Sequence, residues 1–191
     1  MLTDTLDLIN PLVFLDVAST ELNLSFARIV RISTIKLLPD GTKIFVTHLI
    51  NPTVKISSSA SKIHGVKTAD VSNEKPFINY AESISNHLAG CDLVGFGIKR
   101  YGLPLLRKEF RKTKIFFSTR NRSVIDLMNI YHRVEPRDYK SAYSRFTKHT
   151  LKNYYDSKKR VEGMVDIFSG QLEEFSEIPS NISEIVKWMR R

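Results

Sequence analysis

Pro11-Leu-Val-Phe-Leu-Asp16-Val-Ala-Ser-Thr20-Glu-Leu-Asn23 is the stretch on which the fold turns. Its first part, Leu12 to Asp16, is a short apolar run that ends in an acid, and it reads as a strand. Phe26 to Leu38 alternates in part and is rich in isoleucine and valine. Pro39-Asp-Gly41 is a turn signal, and Lys43 to Ile50 is a third β-rich run closed by Asn51-Pro52. A strand followed by two runs around a Pro-Asp-Gly turn predicts neighbouring antiparallel strands.

Downstream the pattern changes. Lys55 to Ser61 reads as a serine-rich loop. Phe77, Ile78, Ala81, Ile84 and Leu88 recur at helix spacing, and Gly90 stops that helix. Asp92 to Phe96 reads as a short buried strand. Tyr101 to Phe110 reads as a helix with Pro104 in its first turn, where proline is tolerated. Lys114 to Phe117 reads as another strand. Val124 to Tyr131 and Tyr139 to Phe146 read as helices separated by Glu135-Pro136. Val161 to Phe175 carries one apolar stripe, Pro179 breaks it, and a terminal helix is expected over about 181–190. Strands first, then alternating strands and helices, predict a mixed α/β domain spanning 1–191 with its core over about 11–175.

Composition narrows the class. Of 191 residues, 42% are hydrophobic and 26% charged, an ordinary globular balance that argues against general disorder. The single cysteine, Cys91, excludes an intrachain disulfide and reads as a small buried residue. The apolar runs are too short to span a membrane, and Met1 to Asn10 lacks the basic start and apolar centre of a signal peptide. The expectation is a cytoplasmic protein with no membrane partner. The net charge of +9 is uneven: residues 97–160 hold 18 Lys/Arg against 5 Asp/Glu, while the segments on either side are slightly acidic. A concentrated basic field attracts polyanions, nucleic acid foremost.

Several segments in order resemble the DEDDh 3′→5′ exonucleases, the RNase H-like family of the polymerase III epsilon subunit. The opening stretch resembles the first motif, Phe-x-Asp-x-Glu-Thr-Thr-Gly-Leu. Ile63-His64-Gly65-Val66 with Ala69-Asp70-Val71 resembles the loop before the first helix. Leu93 to Leu106 resembles the second motif, Val124 to Pro136 the helix after it, and Asn153 to Arg160 falls where the third motif, His-x-x-x-x-Asp, belongs. The resemblance spans roughly 11–175. It implies an RNase H-like α/β fold, with a mixed five-stranded sheet flanked by helices. In that family two divalent metals, about 4 Å apart, hold the scissile phosphate and activate a water. Four carboxylates supply the oxygen ligands and a histidine takes the proton.

Matched position by position, one of five catalytic residues survives. Asp16 remains. Ala18 stands at the first-motif glutamate and Gly102 at the second-motif aspartate, with Gly97 at its asparagine. Tyr155 replaces the histidine and Arg160 the last aspartate. Glu21, Asp156 and Glu162 lie at the wrong spacing to substitute. The expectation is therefore no two-metal site and no ordinary exonuclease activity. Mg²⁺ or Mn²⁺ enters only if the ligands are rearranged.

An arginine at position 160 suits a phosphate, which it holds bidentately without metal. The resemblance places Lys99, Arg100, Lys158 and Lys159 near the same cleft, with Tyr101 and Tyr155 as stacking surfaces for single-stranded DNA or RNA. In the alternative reading Tyr155 fills space, Arg160 pairs with Asp16 or Asp156, and the fold is a scaffold for a protein partner. A third reading is a nuclease with atypical metal ligands. His64 is expected to be structural, His132 and His149 exposed, and Trp188 to dock the last helix.

Overall fold

The structure, a computed structural model, describes residues 2–134, 138–150, 152–153 and 155–190. Five strands form one mixed sheet: β1 (Leu12–Ser19), β2 (Ile29–Leu37), β3 (Lys43–Leu49), β4 (Asp92–Gly95) and β5 (Val124–Asp126), in the order β3-β2-β1-β4-β5. β1 pairs antiparallel with β2, and β2 with β3, while β1–β4 and β4–β5 are parallel. β1 is central because it is apolar on both faces. Leu12 and Phe14 point one way and Val13 and Leu15 the other, and all four are buried.

The helices are α1 (Leu2–Thr5), α2 (Ser58–His64), α3 (Thr68–Val71), α4 (Phe77–Leu88), α5 (Leu103–Phe110), α6 (Leu127–Val134), α7 (Tyr139–Thr147), α8 (Ser157–Glu174) and α9 (Ile182–Trp188). Leu12, Phe14, Ile35 and Leu37 pack on Val161, Met164 and Phe168 of α8. Val13, Leu15, Ile29 and Ile32 pack on Phe77, Ala81, Ile84 and Leu88 of α4 and on Leu105 and Leu106 of α5. Each of the larger side chains, Ala81 aside, contributes about 1.5–3 kcal/mol when fully buried. The sheet is thus clamped between α8 and the α4–α5 pair. Asn181 caps α9 by accepting from Ser183 and Glu184 N–H. Trp188 packs on the α8-side core, with the Arg133 guanidinium 4.9 Å from its ring centre. Among the described residues no helix is long and apolar enough to cross a membrane.

The structure corrects five expectations. Lys114 to Phe117 is not a strand. Ile115 and Phe117 pack on the α4–α5 side core, Phe117 stacks on Phe110 at 4.8 Å, and Phe116 is 88% exposed. The fifth strand is Val124–Asp126, read from sequence as the start of a helix. The Asp92 carboxylate accepts from Ser123 N–H at 2.6 Å and Leu93 N–H donates to the Ser123 carbonyl at 2.9 Å, which lays the segment beside β4. The helix begins only at Leu127.

Within the serine-rich segment lies α2, because Ser57 caps it by accepting from Ala60 N–H. The helix expected from Val161 starts at Ser157, because Asp156 is its N-cap and accepts from Lys159 N–H. Tyr101 and Gly102 fall in a π-helical turn, Ile98–Gly102, ahead of α5. The Glu135-Pro136 break lies outside the described residues.

Candidate functional site

The C-terminal half of β1 carries polar residues where the first half carries core. Asp16 and Ala18 share the face of Leu12 and Phe14. Opposite Ala18 in the antiparallel register stands Arg31 of β2, just before a bulge that shifts the pairing at Ser19. Alanine leaves space where a longer side chain would compete. The Arg31 guanidinium comes within 4.0 Å of Asp16 Oδ2 and donates from Nη1 to the His64 carbonyl at 3.3 Å. Arg31 is buried, and among the described residues its Nε has no hydrogen-bond partner. Burial lowers its pKa while Asp16 raises it. An arginine starts high enough that it keeps its charge.

Arg160 reaches Asp16 from the other side. It lies in the first turn of α8, and its Nε donates to Asp16 Oδ1 at 3.0 Å. Tyr139 of α7 holds it in place. The phenol donates to the Arg160 carbonyl at 2.6 Å, and the guanidinium carbon sits 5.0 Å from the ring centre. Burial raises the Tyr139 pKa well above the usual phenol range, so the hydroxyl stays protonated and donates. Asp156 does not compete for Arg160 with its capping oxygen, which is spent on Lys159 N–H. One carboxylate therefore lies between two arginines.

His64 closes the site from α2. Its Nε2 lies 2.9 Å from the Ser19 carbonyl, and its Nδ1 accepts from Val66 N–H at 3.1 Å. A carbonyl only accepts and an N–H only donates, so the ring is the neutral Nε2–H tautomer. Burial lowers its pKa in the same sense. Both nitrogens are committed to backbone, which makes His64 a brace and not a proton acceptor.

Next to it Gly65 adopts φ +79°, and a Cβ there would lie 3.0 Å from Tyr155 Cβ. Tyr155, 51% exposed, thus rests on Gly65, and it is not among the residues that line the cleft.

The second-motif loop forms the opposite wall. Asp126, buried at the end of β5, accepts from Gly97 N–H at 2.8 Å, from Lys99 N–H at 3.0 Å and from Met128 N–H at 3.1 Å. That carboxylate fixes the turn from β4 into the π-helical segment and starts α6. Tyr101 then points its hydroxyl to Ser19 Oγ, 2.7 Å away, and donates to the Glu21 carbonyl. Burial raises its pKa. A Cβ on Gly102 would meet Ile98 Cγ1 at 3.3 Å, so Ile98 would have to give by a few tenths of an ångström to admit an aspartate there.

Asp16, Ala18, Gly97, Arg100, Tyr101, Gly102 and Arg160 line one cleft of about 280 Å³. Lys158 and Lys159 are not brought there. Lys158 Nζ lies 3.9 Å from Glu162 and 5.7 Å from the Phe45 ring centre, beside a separate groove between α8 and β3. Lys159 Nζ lies 3.6 Å from Glu162. Lys99 is exposed next to the cleft and enters the site only through its backbone N–H. Arg31, Asp126 and Tyr139 were not singled out from sequence. The signal for Arg31 was a cation among the apolar residues that open β2, Ile29-Val-Arg31-Ile. Among the described residues no group of three His, Cys, Asp or Glu side chains is placed to hold a metal ion.

The sequence matches no protein-family profile and no curated protein. The fold does have solved counterparts. Escherichia coli exonuclease I in complex with a dT13 oligonucleotide superimposes with a TM-score of 0.68 at 14% identity, covering 86% of this chain and 41% of that one. The zinc-bound exonuclease I–single-stranded DNA complex gives 0.69 at 15% identity, over 88% and 41%. Exonuclease X in complex with 5′-overhanging duplex DNA gives 0.63 at 16% identity, over 93% and 99%. This chain thus spans less than half of exonuclease I and nearly all of exonuclease X. The fold is the RNase H-like fold of exonucleases.

Proposed function

We propose that this chain is an exonuclease-fold protein that binds single-stranded nucleic acid in the β1 cleft and does not cut it by two-metal chemistry. The observation that carries this reading is Asp16 held between Arg31 and Arg160. The donor set does not fit a pair of Mg²⁺ or Mn²⁺ ions. Two such ions need several carboxylate oxygens, and Asp16 offers one side chain already engaged by Arg160. A divalent ion about 4 Å from a guanidinium meets roughly 8 kcal/mol of repulsion at an effective dielectric of 20. Asp16 is shared by Arg31 and Arg160, and Asp156, which also acts on Arg31, is the N-cap of α8.

A phosphate diester meets the reverse situation. Arg160 lines the cleft, and Arg100 stands exposed on the facing wall. A charge-assisted hydrogen bond contributes about 1.5–3 kcal/mol. Tyr101 lines the cleft with its hydroxyl tied down, whereas Tyr155, exposed and packed on Gly65, is not among the lining residues. Exonuclease I and exonuclease X were solved with DNA bound, and carrying that property over to this chain is part of the proposal.

Electrophoretic mobility of labelled single-stranded DNA and RNA tests this in Mg²⁺ and in EDTA. The expected result is a shift in both buffers that weakens with salt and drops about tenfold or more in Arg160→Ala. A shift that needs metal contradicts the reading. The pairing of Arg160 with Asp16 also suits a scaffold whose old site is merely filled. No shift with either nucleic acid would favour that protein-partner reading.

A further inference from the structure

A second concentration of charge lies at the other end of the sheet. β1 and β4 run parallel, with Leu12 beside Asp92, so the Asp16–Ser19 end and the Asp92 end of the strands are opposite. Asp92 binds Ser123 N–H, which anchors the α5–β5 connection there. From Arg107 to Arg122 the chain holds seven lysines and arginines against one acid, Glu109.

Some of these cations build the loop. Lys108 Nζ donates to the carbonyls of Leu24, Ser25 and Ala27 at 2.7–3.0 Å. Lys112 pairs with Glu109 at 2.8 Å, Arg107 donates to Thr119 Oγ1, and Arg122 donates to the Leu88 carbonyl at 2.8 Å.

Three others do not. Arg111, Lys114 and Arg120 are exposed and form no side-chain hydrogen bond or ion pair among the described residues. They line one groove of about 770 Å³ together with Phe116. The groove floor is fixed because Phe117 stacks on Phe110 with the rings 13° from parallel. Its neighbour Phe116 is turned outward and is 88% exposed. A packed aromatic holds the loop, and an unpacked one stands between unpaired cations.

We propose that this groove is a second contact surface for single-stranded nucleic acid, separate from the β1 cleft. Arg111, Lys114 and Arg120 meet backbone phosphates and Phe116 stacks on a base. A cationic groove with a bare aromatic suits a strand that offers phosphates and π-faces together. An acidic peptide would use the cations and leave Phe116 idle, which is why nucleic acid is favoured. The groove does not require the cleft to bind.

The test uses fluorescence anisotropy of the full chain with a short labelled oligothymidylate, across a salt series. The comparison set is Lys114→Glu/Arg120→Glu, Phe116→Ala and Arg160→Ala. All three loop positions are exposed, and circular dichroism checks that the variants stay folded. The double charge reversal is expected to weaken binding at least tenfold and to flatten the salt dependence by about 0.7 per lost contact. Phe116→Ala is expected to weaken it roughly 5- to 100-fold. Both losses persist in an Arg160→Ala background, and an iodouridine-substituted strand cross-links to Phe116.

Loop variants that bind like the unmodified chain overturn the groove, and leave the cleft standing if Arg160→Ala still loses affinity. Loss in the loop variants with none in Arg160→Ala overturns the cleft and supports the groove. If polyglutamate binds as tightly as the oligonucleotide and Phe116→Ala changes nothing, the groove is a site for acidic protein segments and the nucleic-acid assignment falls.

Discussion

At the C-terminal end of β1, Arg31 and Arg160 are largely withdrawn from water and both reach one carboxylate, whereas at the N-terminal end of β4 Arg111, Lys114 and Arg120 stand in solvent. Both ends are positive. They differ in what holds the charge. A buried guanidinium pays for desolvation and stays only where Asp16, the His64 carbonyl and the Tyr139 ring receive it. An exposed one needs no partner, since water screens it. The buried end is therefore fixed in geometry and costly to disturb, and the exposed end is tolerant of substitution and sensitive to salt.

Four expectations break or sharpen that contrast. Asp16→Ala leaves Arg31 and Arg160 facing each other without their carboxylate. It is expected to destabilise the fold by about 3 kcal/mol, read from urea unfolding. A loss below 1 kcal/mol would mean that the cluster is solvated like the loop. Arg160→Ala is expected to cost less stability and more function: nucleic-acid affinity falls about tenfold or more, with Tyr139 losing its cation–π partner.

The third expectation concerns pH. Burial lowers the pKa of His64, which faces Arg31, Asp16 and Arg160, and also lowers those of His48 and His87. The unfolded chain therefore takes up protons first. Stability is complete above the unfolded histidine value of about 6.5 and is lost as pH falls from there toward the depressed folded values. Unfolding is expected to need less urea at pH 5.5 than at pH 7, with a shallower pH dependence in His64→Asn. The smallest effect is that of Lys114→Glu/Arg120→Glu on stability. It is expected within about 0.5 kcal/mol of the unmodified chain, because the positions are exposed and unpaired.

β1 was legible as a strand because an apolar run with no helical period has few other solutions. α4 and α9 were legible from spacing and stop signals. β5 was not, because Val124-Ile-Asp126 is three residues long and runs straight into the apolar positions of α6. Only the register against β4 distinguishes the two. Lys114 to Phe117 had strand composition, but its outward Phe116 shows that no neighbour was there to pair or cover it.

At the site, Asp16 and Arg160 followed from motif spacing. Arg31 could not, since its place opposite Ala18 is set by antiparallel register and a bulge 13 residues away in sequence. The placement of the third motif puts Lys158 and Lys159 near the cleft, beside Arg160 in sequence. On a helix that begins at Ser157, side chains one and two positions apart point about 100° and 200° away, which sends both toward Glu162.

The most direct measurement is the length of a 5′-labelled single strand held with the full chain in Mn²⁺, beside an Asp16→Asn control and an EDTA control. The arrangement of Asp16 between Arg31 and Arg160 predicts a strand that is bound and remains full length in every lane. Stepwise shortening that requires Mn²⁺ and disappears in Asp16→Asn would contradict it, because it would show that metal displaces Arg160 and that the carboxylate still serves catalysis.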